Sequence, residues 1–510
     1  MSLLLFTDLS GRNITEQTLK DTGILPLLSA VLNEKEKVVV EEYLRKSPTY
    51  REIQKRQEFF ASYWEEEAVR EFLKKAEAHF RHLSELRSFY RQRKDSVLFY
   101  FRYAWDYCQM IEELADTDDS FHSSLVSELL QNLRREASSE AYRALSTEIN
   151  HLTETADGYR KMEMHVRLEE TDCTLNFVHP LQEGKSLSGR LSGCLEILFD
   201  NSPEGKTAAL PLPDSDQYLD FLLRKFPCLK KELEKFSSLC GTYAFLNTDA
   251  CLQDLTAVHA LSKMVAYLHQ RGIPLTFPTV SPQAEFRITD GYDISLLTRR
   301  EPIIPNDFLM ETPQSLLHGA NSGGKTVFLR MVGICTILAM AGLPVPAGNM
   351  SVPYIGCIHS AFAQKEEIHR GRLQREKEAL KHLIASAEPS DLILVNEFFS
   401  STSEPEALEL SGETLETFHR CRFYCLWNSH HPLHRLSDVP GMCRYAPSAV
   451  ERYKIRKEEC PLAGAQAIAA SYGLSGEKLR EKWRKRKILL RQRGGMGNEA
   501  VPFSPQGNCG

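Results

Sequence analysis

The spacing of apolar residues divides the first half of the chain into helical and strand-like segments. From about Thr15 to His151, apolar side chains recur at helical spacing, and the stretch from Arg51 to Asp116 contains neither proline nor glycine. Between residues 160 and 212, short and partly alternating apolar runs are bounded by Gly, Asn, Asp and Pro, which predicts strands. Helical spacing returns from Ser215 to His269. We therefore expect helices interrupted by a small strand-rich insertion.

A different pattern follows a proline-marked linker at Pro274, Pro278 and Pro282. Apolar strands and amphipathic helices alternate from there to about Leu490, and we expect the Gly- and Pro-rich end beyond it to be disordered. This alternation predicts an α/β domain with parallel strands. The fold class expected for the chain is multidomain, α followed by α/β.

Length and composition indicate a globular protein with several cores. The 510 residues exceed what one hydrophobic core supports, so about two to four domains are expected. With 42% hydrophobic residues and no apolar run near the roughly 20 residues that span a bilayer, a membrane partner is not expected. The 13 cysteines are scattered without a CxxC pair, which favours the cytoplasm, and Cys421 and Cys425 fit buried thiols better than metal ligands.

Charge gives no independent support for binding to nucleic acid. The net charge is −6, and only the segment from Lys478 to Arg493 is strongly basic. That segment, which contains Trp483, fits either a solvated helix face or a contact with nucleic acid.

One glycine-rich segment predicts a phosphate site. Residues Gly319 to Thr326 satisfy G-x-x-x-x-G-K-[ST] between an apolar strand and a helical run that starts at Val327. Glycines let backbone N–H groups surround phosphates, the lysine reaches the β- and γ-phosphate oxygens, and the threonine hydroxyl ligates Mg²⁺ at a helix N-terminus. We predict that ATP and Mg²⁺ bind here. The expected ATP-binding residues of this loop are Gly319, Ala320, Asn321, Ser322, Gly323, Gly324, Lys325 and Thr326.

Two later strands end in residues that suit phosphate hydrolysis. The apolar run Leu392–Val395 leads into Asn396 and Glu397, the positions expected for a Mg²⁺-positioning residue and for a base that activates water. The run Phe423–Trp427 leads towards His430, and the carboxyl ends of parallel strands share one crevice. The predicted catalytic residues are Glu397 and His430, and the predicted metal contacts are Thr326 and Asn396.

The histidines after the last of these strands leave a second interpretation open. His430, His431 and His434 lie close together and could bind a metal ion. No carboxylate or cysteine lies at ligand spacing beside them, so a role near the nucleotide is favoured.

These motifs together resemble the MutS-type ATPases, which belong to the ABC superfamily. Gly319 to Arg330 looks like the family form GPNxGGKSTxxR. Asn396 to Ser403 looks like DExGxGTS, and Ser429-His430 falls on the family's T-H switch. The resemblance is closest over residues 300 to 480 and extends over residues 30 to 290.

Weaker matches lie on either side. Ile304 to Asp307 matches the family's P-N-D, which implies that Asn306 contacts the nucleotide, and Arg51 to Gln57 resembles I-x-x-R-Q in the core helices. Ala465, Ile468, Ala469, Gly473 and Leu474 match the helix that closes the ATPase domain. The resemblance implies a helical core and lever at residues 1–285 with a clamp-like insertion near 160–212, a dimerising P-loop ATPase domain at 286–480, and a basic segment with a flexible tail at 481–510.

Departures from the family pattern change some expectations. The chain starts at the core helices, so we expect no N-terminal mismatch-recognition or connector domain, and no Smr domain at the other end. Asn396 stands where the family has Asp, which removes a charge near Mg²⁺ and predicts slow hydrolysis. Leu373 stands where a serine would touch the partner subunit's γ-phosphate. Arg372, Gln374 or Arg375 could supply that contact across the dimer instead. The alternative is that the contact is absent and that these residues form a solvated helix start.

Two functions from different classes are consistent with these motifs. The first is a DNA-binding ATPase that acts as a nucleotide-switched dimeric clamp in mismatch repair or a recombination-related process. The alternative is a nucleotide-gated module that binds a protein or ribonucleoprotein with little hydrolysis and no mismatch recognition. Salt-dependent binding to DNA separates them, because neutralised phosphates release counterions. Other ABC-type ATPases with long coiled coils are disfavoured, since no heptad pattern persists.

Overall fold

A computed structural model describes residues 12–90, 97–118, 121–160, 163–169, 172–178, 227–298, 303–319, 323–363, 371–400, 402–431, 433 and 442–457. Several predicted features lie outside the described residues: the strand-like run Cys194–Phe199, the loop residues Ala320, Asn321 and Ser322, His434, and the basic segment from Lys478 to Arg493.

The chain divides into two compact units. The helical unit comprises Met1–Leu9, Val38–Tyr43 and Gln54–Ser262, and the sheet unit comprises Ser10–Lys37, Leu44–Ile53 and Lys263–Gly510. The domain bounds predicted at residues 285 and 480 stay predictions.

The helical pattern of the first half is confirmed. The helices before the α/β region are α1 (Glu16–Thr22), α2 (Ile24–Val31), α3 (Glu34–Arg45), α4 (Tyr50–Glu65), α5 (Glu67–Tyr90), α6 (Val97–Ala115), α7 (Ser124–Ala137), α8 (Glu140–Arg160), α9 (Pro227–Thr242) and α10 (Thr248–Gln270). Two of the predicted strands are also confirmed, because β1 (Glu163–Glu169) and β2 (Asp172–Val178) pair as an antiparallel hairpin.

Helix α7 shows how the sequence specifies an element of the helical unit. The hydroxyl of Ser123 accepts a hydrogen bond from the Val126 amide at 3.4 Å, which satisfies one of the free N–H groups of the first turn. One face of the helix is buried through Leu125, Val126, Leu129, Leu130 and Leu133. The spacing of these residues places them on one stripe, so their burial drives packing against the neighbouring helices.

The described part of the sheet unit contains two sheets. Their strands are β3 (Thr279–Val280), β4 (Phe286–Gly291), β5 (Asn306–Met310), β6 (Gln314–Leu317), β7 (Asn349–Val352), β8 (Ile358–Phe362), β9 (Leu392–Asn396), β10 (Tyr424–Asn428), β11 (Cys443–Pro447) and β12 (Ile455–Lys457). The first sheet has the order β12-β11-β6-β10-β9-β8, parallel except for β12, and the second has the order β3-β7-β4-β5. The expected parallel α/β architecture is therefore observed.

The parallel order brings the ends of three strands to the same level. Asn428 at the end of β10 is paired with Asn396 at the end of β9 and with Leu317 at the end of β6. All residues of β6 and β9 are buried, as expected for central parallel strands that are covered on both faces. Their polar continuations therefore emerge together at one edge.

The helices described alongside the first sheet are α11 (Lys325–Met340), α12 (Arg372–Ser386) and α13 (Glu404–Arg420). Helix α11 is buried along most of its length, which explains why its apolar residues are not confined to one stripe. No helix among the described residues is long and apolar enough to cross a membrane. Cys425 is a fully buried free thiol, and Cys421 is a partly buried one, as the sequence predicted.

Candidate functional site

The two described ends of the loop between β6 and α11 have backbone conformations that suit a phosphate cradle. Gly319 and Gly324 both adopt positive φ angles, 101° and 87°, which favour glycine. A Cβ atom at Gly319 would also come within 3.0 Å of the Pro447 side chain. Gly324 leads directly into α11, whose first N–H groups have no partner within the helix. The loop therefore ends at an N-terminus suited to an anion.

Lys325 is the cation of this loop, and it is only 2% exposed. Its Nζ donates a hydrogen bond to the carbonyl oxygen of Gly319. Burial lowers the pKa of Lys325 to about 8, although the nearby carboxylate of Glu397 opposes this shift. A buried ammonium group whose hydrogen bond goes to a neutral carbonyl is stabilised further by any anion that reaches it.

A polar cluster joins the helix start to the ends of β9 and β10. The Thr326 hydroxyl donates to Oδ1 of Asn396 at 3.3 Å, and Nδ2 of Asn428 donates to the same oxygen at 2.8 Å. Among the described residues, Oδ1 of Asn428 is buried without a hydrogen-bond donor. Three neutral oxygen-bearing side chains thus meet where the sequence predicted a hydroxyl and one amide. Asn428 is the member that sequence reasoning missed.

These side chains fit the preferences of Mg²⁺. Hydroxyl and amide oxygens are hard ligands, and Mg²⁺ usually takes only one or two protein ligands together with phosphate oxygens and water. No group of three or more His, Cys, Asp or Glu side chains in the described part of the chain could hold a metal ion by itself. The site therefore suits a metal ion that arrives with phosphates.

Glu397 and His430 are brought together by the order of β9 and β10. His430 Nε2 lies 3.0 Å from Oε1 of Glu397, and the side chains are 24% and 32% exposed, so solvent reaches both. The Glu397 amide donates to the carbonyl of Asn428 at 2.9 Å, which ties the ends of the two strands. The pair predicted from separate strand ends is thus a direct contact, and a water molecule bound beside it would meet both a carboxylate and an imidazole.

Asn306 occupies the first residue of β5 and is buried. Its Oδ1 accepts from the Ile455 amide at 2.7 Å, while its Nδ2 donates to the carbonyls of Ile304 and Tyr453 at 3.2 Å. All these partners are backbone groups. Asn306 therefore holds the segment that places Tyr453 next to Gly324, and the direct nucleotide contact implied by the family motif stays a prediction.

The residues considered for a contact across a dimer lie at the start of α12. Gln374 and Arg375 are exposed, and Gln374 donates to Glu378 of the next turn at 2.8 Å. Leu373 packs against the hydrophobic cluster of the sheet unit, which explains an apolar residue at that position. Arg372 instead donates to Glu376 and to the Ser400 hydroxyl, each at 2.9 Å, so its guanidinium is engaged within the chain.

Glu376 and His431 are further residues that sequence reasoning did not assign to this site. The Phe399 amide donates to Glu376 Oε2 at 2.9 Å, and His431 Nε2 lies 3.1 Å from the Phe399 carbonyl oxygen. The sequence carried little signal for Glu376, because it lies inside a mixed-charge helical run. His431 was considered only as a metal ligand, and its ring contacts a backbone carbonyl.

Comparison with known proteins identifies the domain that contains these residues. Residues 315–462 match the family model of MutS domain V. This domain is a MutS-family domain. The match covers the glycine-rich loop, Asn396, Glu397, His430 and the start of α12, so the resemblance drawn from the motifs is confirmed.

Relatives that are similar to parts of this chain come from bacteria and from human. Endonuclease MutS2 of Gemmatimonas aurantiaca is 27% identical over 296 residues, which cover 55% of this chain and 35% of the relative. The DNA mismatch repair protein MutS of Solibacter usitatus is 31% identical over 32% of this chain and 20% of its own length. The DNA mismatch repair protein Msh3 of Homo sapiens is 27% identical over 44% of this chain and 19% of its own length. The chain thus spans about a third or less of the length of these relatives.

Proposed function

We propose that this protein binds ATP with Mg²⁺ in the loop from Gly319 to Thr326 and hydrolyses it slowly. The observation that carries the proposal is the convergence of the Lys325 loop with the Glu397 and His430 pair at adjoining strand ends. A cradle with a cation on one side and a solvent-accessible carboxylate on the other suits attack of water on a terminal phosphate. Hydrolysis breaks the bond between the β- and γ-phosphates and releases ADP and inorganic phosphate.

Each residue has a role that follows from its position. Lys325 binds the β- and γ-phosphate oxygens, and the N–H groups at the start of α11 receive the other oxygens. Glu397 accepts a proton from water or orients it, and His430 holds the carboxylate in place through the 3.0 Å contact. When bound, Mg²⁺ neutralises charge on the phosphate oxygens, and Thr326 with Asn396 would hold it.

Slow turnover follows from the neutral cluster beside that metal position. Asn396 offers an amide oxygen where a carboxylate would add a negative charge, and both Thr326 and Asn428 already donate to that oxygen. A weaker ligand for Mg²⁺ stabilises the developing charge less. We therefore expect nucleotide binding to be retained more fully than hydrolysis.

The names of the relatives support a wider role that involves DNA. We propose that nucleotide state switches a homodimer of this protein between conformations that hold and release DNA, in mismatch repair or a related process, in the cytoplasm. A second candidate is a nucleotide-gated module that binds a protein or ribonucleoprotein. The amide at Asn396 favours this candidate, because a switch that depends on binding alone needs little hydrolysis.

The central experiment measures ATP hydrolysis by the purified protein alone and with homoduplex, mismatched or branched DNA, at several salt concentrations. Turnover that DNA stimulates, with an affinity that falls steeply with salt, is expected for the DNA-linked ATPase. ATP binding without turnover and without a salt-dependent DNA complex would support the gated module instead. Absence of ATP binding in calorimetry would disprove both. Glu397→Gln should retain binding and lower turnover by about 10²- to 10⁴-fold, while Glu409→Gln, a change at an exposed carboxylate on α13, should leave turnover unchanged.

A further inference from the structure

The turn that carries Glu397 has an unusual backbone. Glu397 and Phe399 both have positive φ angles, 59° and 61°, in the left-handed region that L-residues with side chains avoid. The related motif DExGxGTS has glycine at the position of Phe399, so this chain adopts the turn without the residue that favours it. Such a conformation persists only where surrounding contacts hold it.

Hydrogen bonds from several parts of the sheet unit hold this turn in place. The Phe399 amide donates to Glu376 Oε2 at 2.9 Å, and the Phe399 carbonyl lies 3.1 Å from His431 Nε2. The Glu397 amide donates to the Asn428 carbonyl at 2.9 Å, and the Ser400 hydroxyl accepts from Arg372 at 2.9 Å. The start of the turn is therefore anchored to the end of β10, and its other end is anchored to α12 and to His431.

Glu376 is the centre of this arrangement because both of its carboxylate oxygens are used. One accepts from Arg372 Nε at 2.9 Å and the other from the Phe399 amide, and the residue is only 5% exposed. The buried charge is compensated by a guanidinium and a backbone N–H. Arg372 in turn donates to the Ser400 hydroxyl, so Glu376 and Arg372 are hydrogen-bonded to the turn at Phe399 and at Ser400.

Packing fixes the other side of the turn. The Phe399 side chain is 1% exposed and its ring centroid lies 6.1 Å from that of Phe398 and 6.3 Å from that of Trp427. Movement of the Phe399 backbone would therefore cost both apolar contacts and the hydrogen bond to Glu376.

We propose that Glu376, supported by Arg372, is a positioning residue for ATP hydrolysis. It holds the turn from Glu397 to Phe399 so that the Glu397 carboxylate keeps its contact with His430. The inference rests on the proposed role of Glu397 in hydrolysis. The start of α12, which was predicted to contact the nucleotide of a second subunit, thereby also has a positioning role within its own subunit. This role also explains why Phe399 can occupy a position that favours glycine.

A purely structural role for Glu376 makes a different prediction. An ordinary pair four residues apart on an exposed helix contributes little to stability. Glu376 differs because its second oxygen binds a backbone amide two residues from Glu397. Loss of that bond should therefore change the rate of hydrolysis far more than the affinity for ATP, whereas a general loss of stability would not separate the two.

The test compares Glu376→Ala, Glu376→Gln and the control Glu409→Ala, an exposed carboxylate on α13, in the full chain. Glu376→Ala should lower kcat between about tenfold and hundredfold, with KM and the calorimetric Kd for ATP within about threefold, as expected for a small displacement of a reacting group. Glu376→Gln should recover part of kcat, because its amide oxygen can still accept from Phe399 N–H. The control should match the wild type.

Amide hydrogen exchange of the nucleotide-free protein provides a second readout that does not depend on hydrolysis. The Phe399 amide should exchange faster in Glu376→Ala than in the wild type or in the control, with Glu376→Gln between them. Unchanged kcat together with unchanged exchange at Phe399 would overturn the proposal. If Glu376→Ala does not fold, Glu376→Gln carries the same two measurements, and wild-type values in both would overturn it.

These measurements also separate this inference from the proposed function. A wild type that does not hydrolyse ATP contradicts the proposed ATPase, and the exchange at Phe399 then still reports whether Glu376 holds the turn. The other outcome is that the wild-type protein hydrolyses ATP, that Glu397→Gln loses turnover, and that neither Glu376 variant does. This outcome would support the ATPase and contradict the positioning role.

Discussion

Lys325 is buried, which destabilises its charged form in the absence of a ligand and leaves that charge to be stabilised by a bound anion. Its pKa is lowered to about 8 by burial, so in the nucleotide-free protein the ammonium group begins to lose its proton near that pH. Bound phosphates would stabilise the charged form and raise this pKa. Burial of Lys325 therefore couples its protonation to the binding of phosphate.

Replacing Lys325 by alanine should weaken ATP binding by roughly hundredfold or more, because it removes the point charge on the phosphates. In the wild type, ATP binding near pH 8.5 should take up protons, since the bound lysine is charged and the free lysine is partly neutral. Calorimetry in buffers of different ionisation enthalpy measures both quantities. Lys381→Ala, a change at an exposed position on α12, is the matched control. Unaltered affinity in Lys325→Ala would contradict the phosphate role.

A substitution at Asn396 should increase Mg²⁺ affinity and turnover, whereas the Lys325 substitution should weaken ATP binding. Asn396→Asp places a negative charge beside Thr326 and keeps an oxygen that can accept from Asn428. Mg²⁺ should bind more tightly, and turnover should rise by about tenfold if charge at this position limits the rate. Steady-state hydrolysis measured over a Mg²⁺ titration tests this. Tighter Mg²⁺ binding with an unchanged rate would show that another step limits turnover.

At the scale of elements, an ion-pair network joins Arg12, which lies four residues before the start of α1, to the first sheet next to its edge strand β8. The buried carboxylate of Asp391 accepts from Arg12 and from the Cys357 amide at 2.9 Å, and it lies 3.0 Å from His359 Nε2 on β8. Burial opposes the charged imidazole, but the hydrogen bond to Asp391 prevails and raises the pKa of His359 to about 9.

The sign of this shift gives a stability prediction. A histidine whose pKa is raised on folding stabilises the native state fully below about pH 6.5, and the contribution is lost as pH rises through about 9. His359→Gln should reduce the free energy of unfolding by about 2 kcal/mol at pH 6 and by much less at pH 10. Denaturant unfolding at both pH values tests this, with His382→Gln at an exposed site as control. An equal loss at both pH values would exclude a charge effect.

At the scale of the whole molecule, the start of α12 is the segment predicted to contact the nucleotide of a second subunit. Arg375 is exposed there, whereas Arg372 is only partly exposed and donates to Glu376 and Ser400. We assign the predicted contact between subunits to Arg375, because it lies at the surface and a guanidinium can donate two charge-assisted hydrogen bonds to a phosphate.

A non-hydrolysable ATP analogue should promote a dimer in sedimentation experiments. Arg375→Ala should weaken that promotion by about tenfold in the dimerisation constant, as expected for loss of one charge-assisted contact. Arg372→Ala should affect turnover more than assembly. A monomer in all conditions would contradict the model in which two ATPase domains enclose the nucleotide, and would favour the gated binding module.

Features that depend on neighbouring residues could be predicted from the sequence. The loop from Gly319 to Thr326 is contiguous, so its glycines, its lysine and the helix that follows appear in the correct order in the chain itself. Strand ends were also predictable, because a buried parallel strand is an unbroken apolar run and its polar continuation marks the edge of the sheet. Glu397 and His430 were predicted in this way, and the structure brings their side chains into contact.

Contacts between distant segments were decided only by the tertiary structure. The strand order places β10 between β6 and β9, which sets Asn428 against Asn396 and His430 against Glu397. In the sequence, Glu376 is one of several charged residues in a helical run, which predicts a solvated position. Only the packing of α12 shows that its carboxylate accepts a hydrogen bond from the Phe399 amide. The physical reason is that a sequence pattern reports the exposed and buried faces of an element, whereas the partner of a side chain depends on how the elements pack.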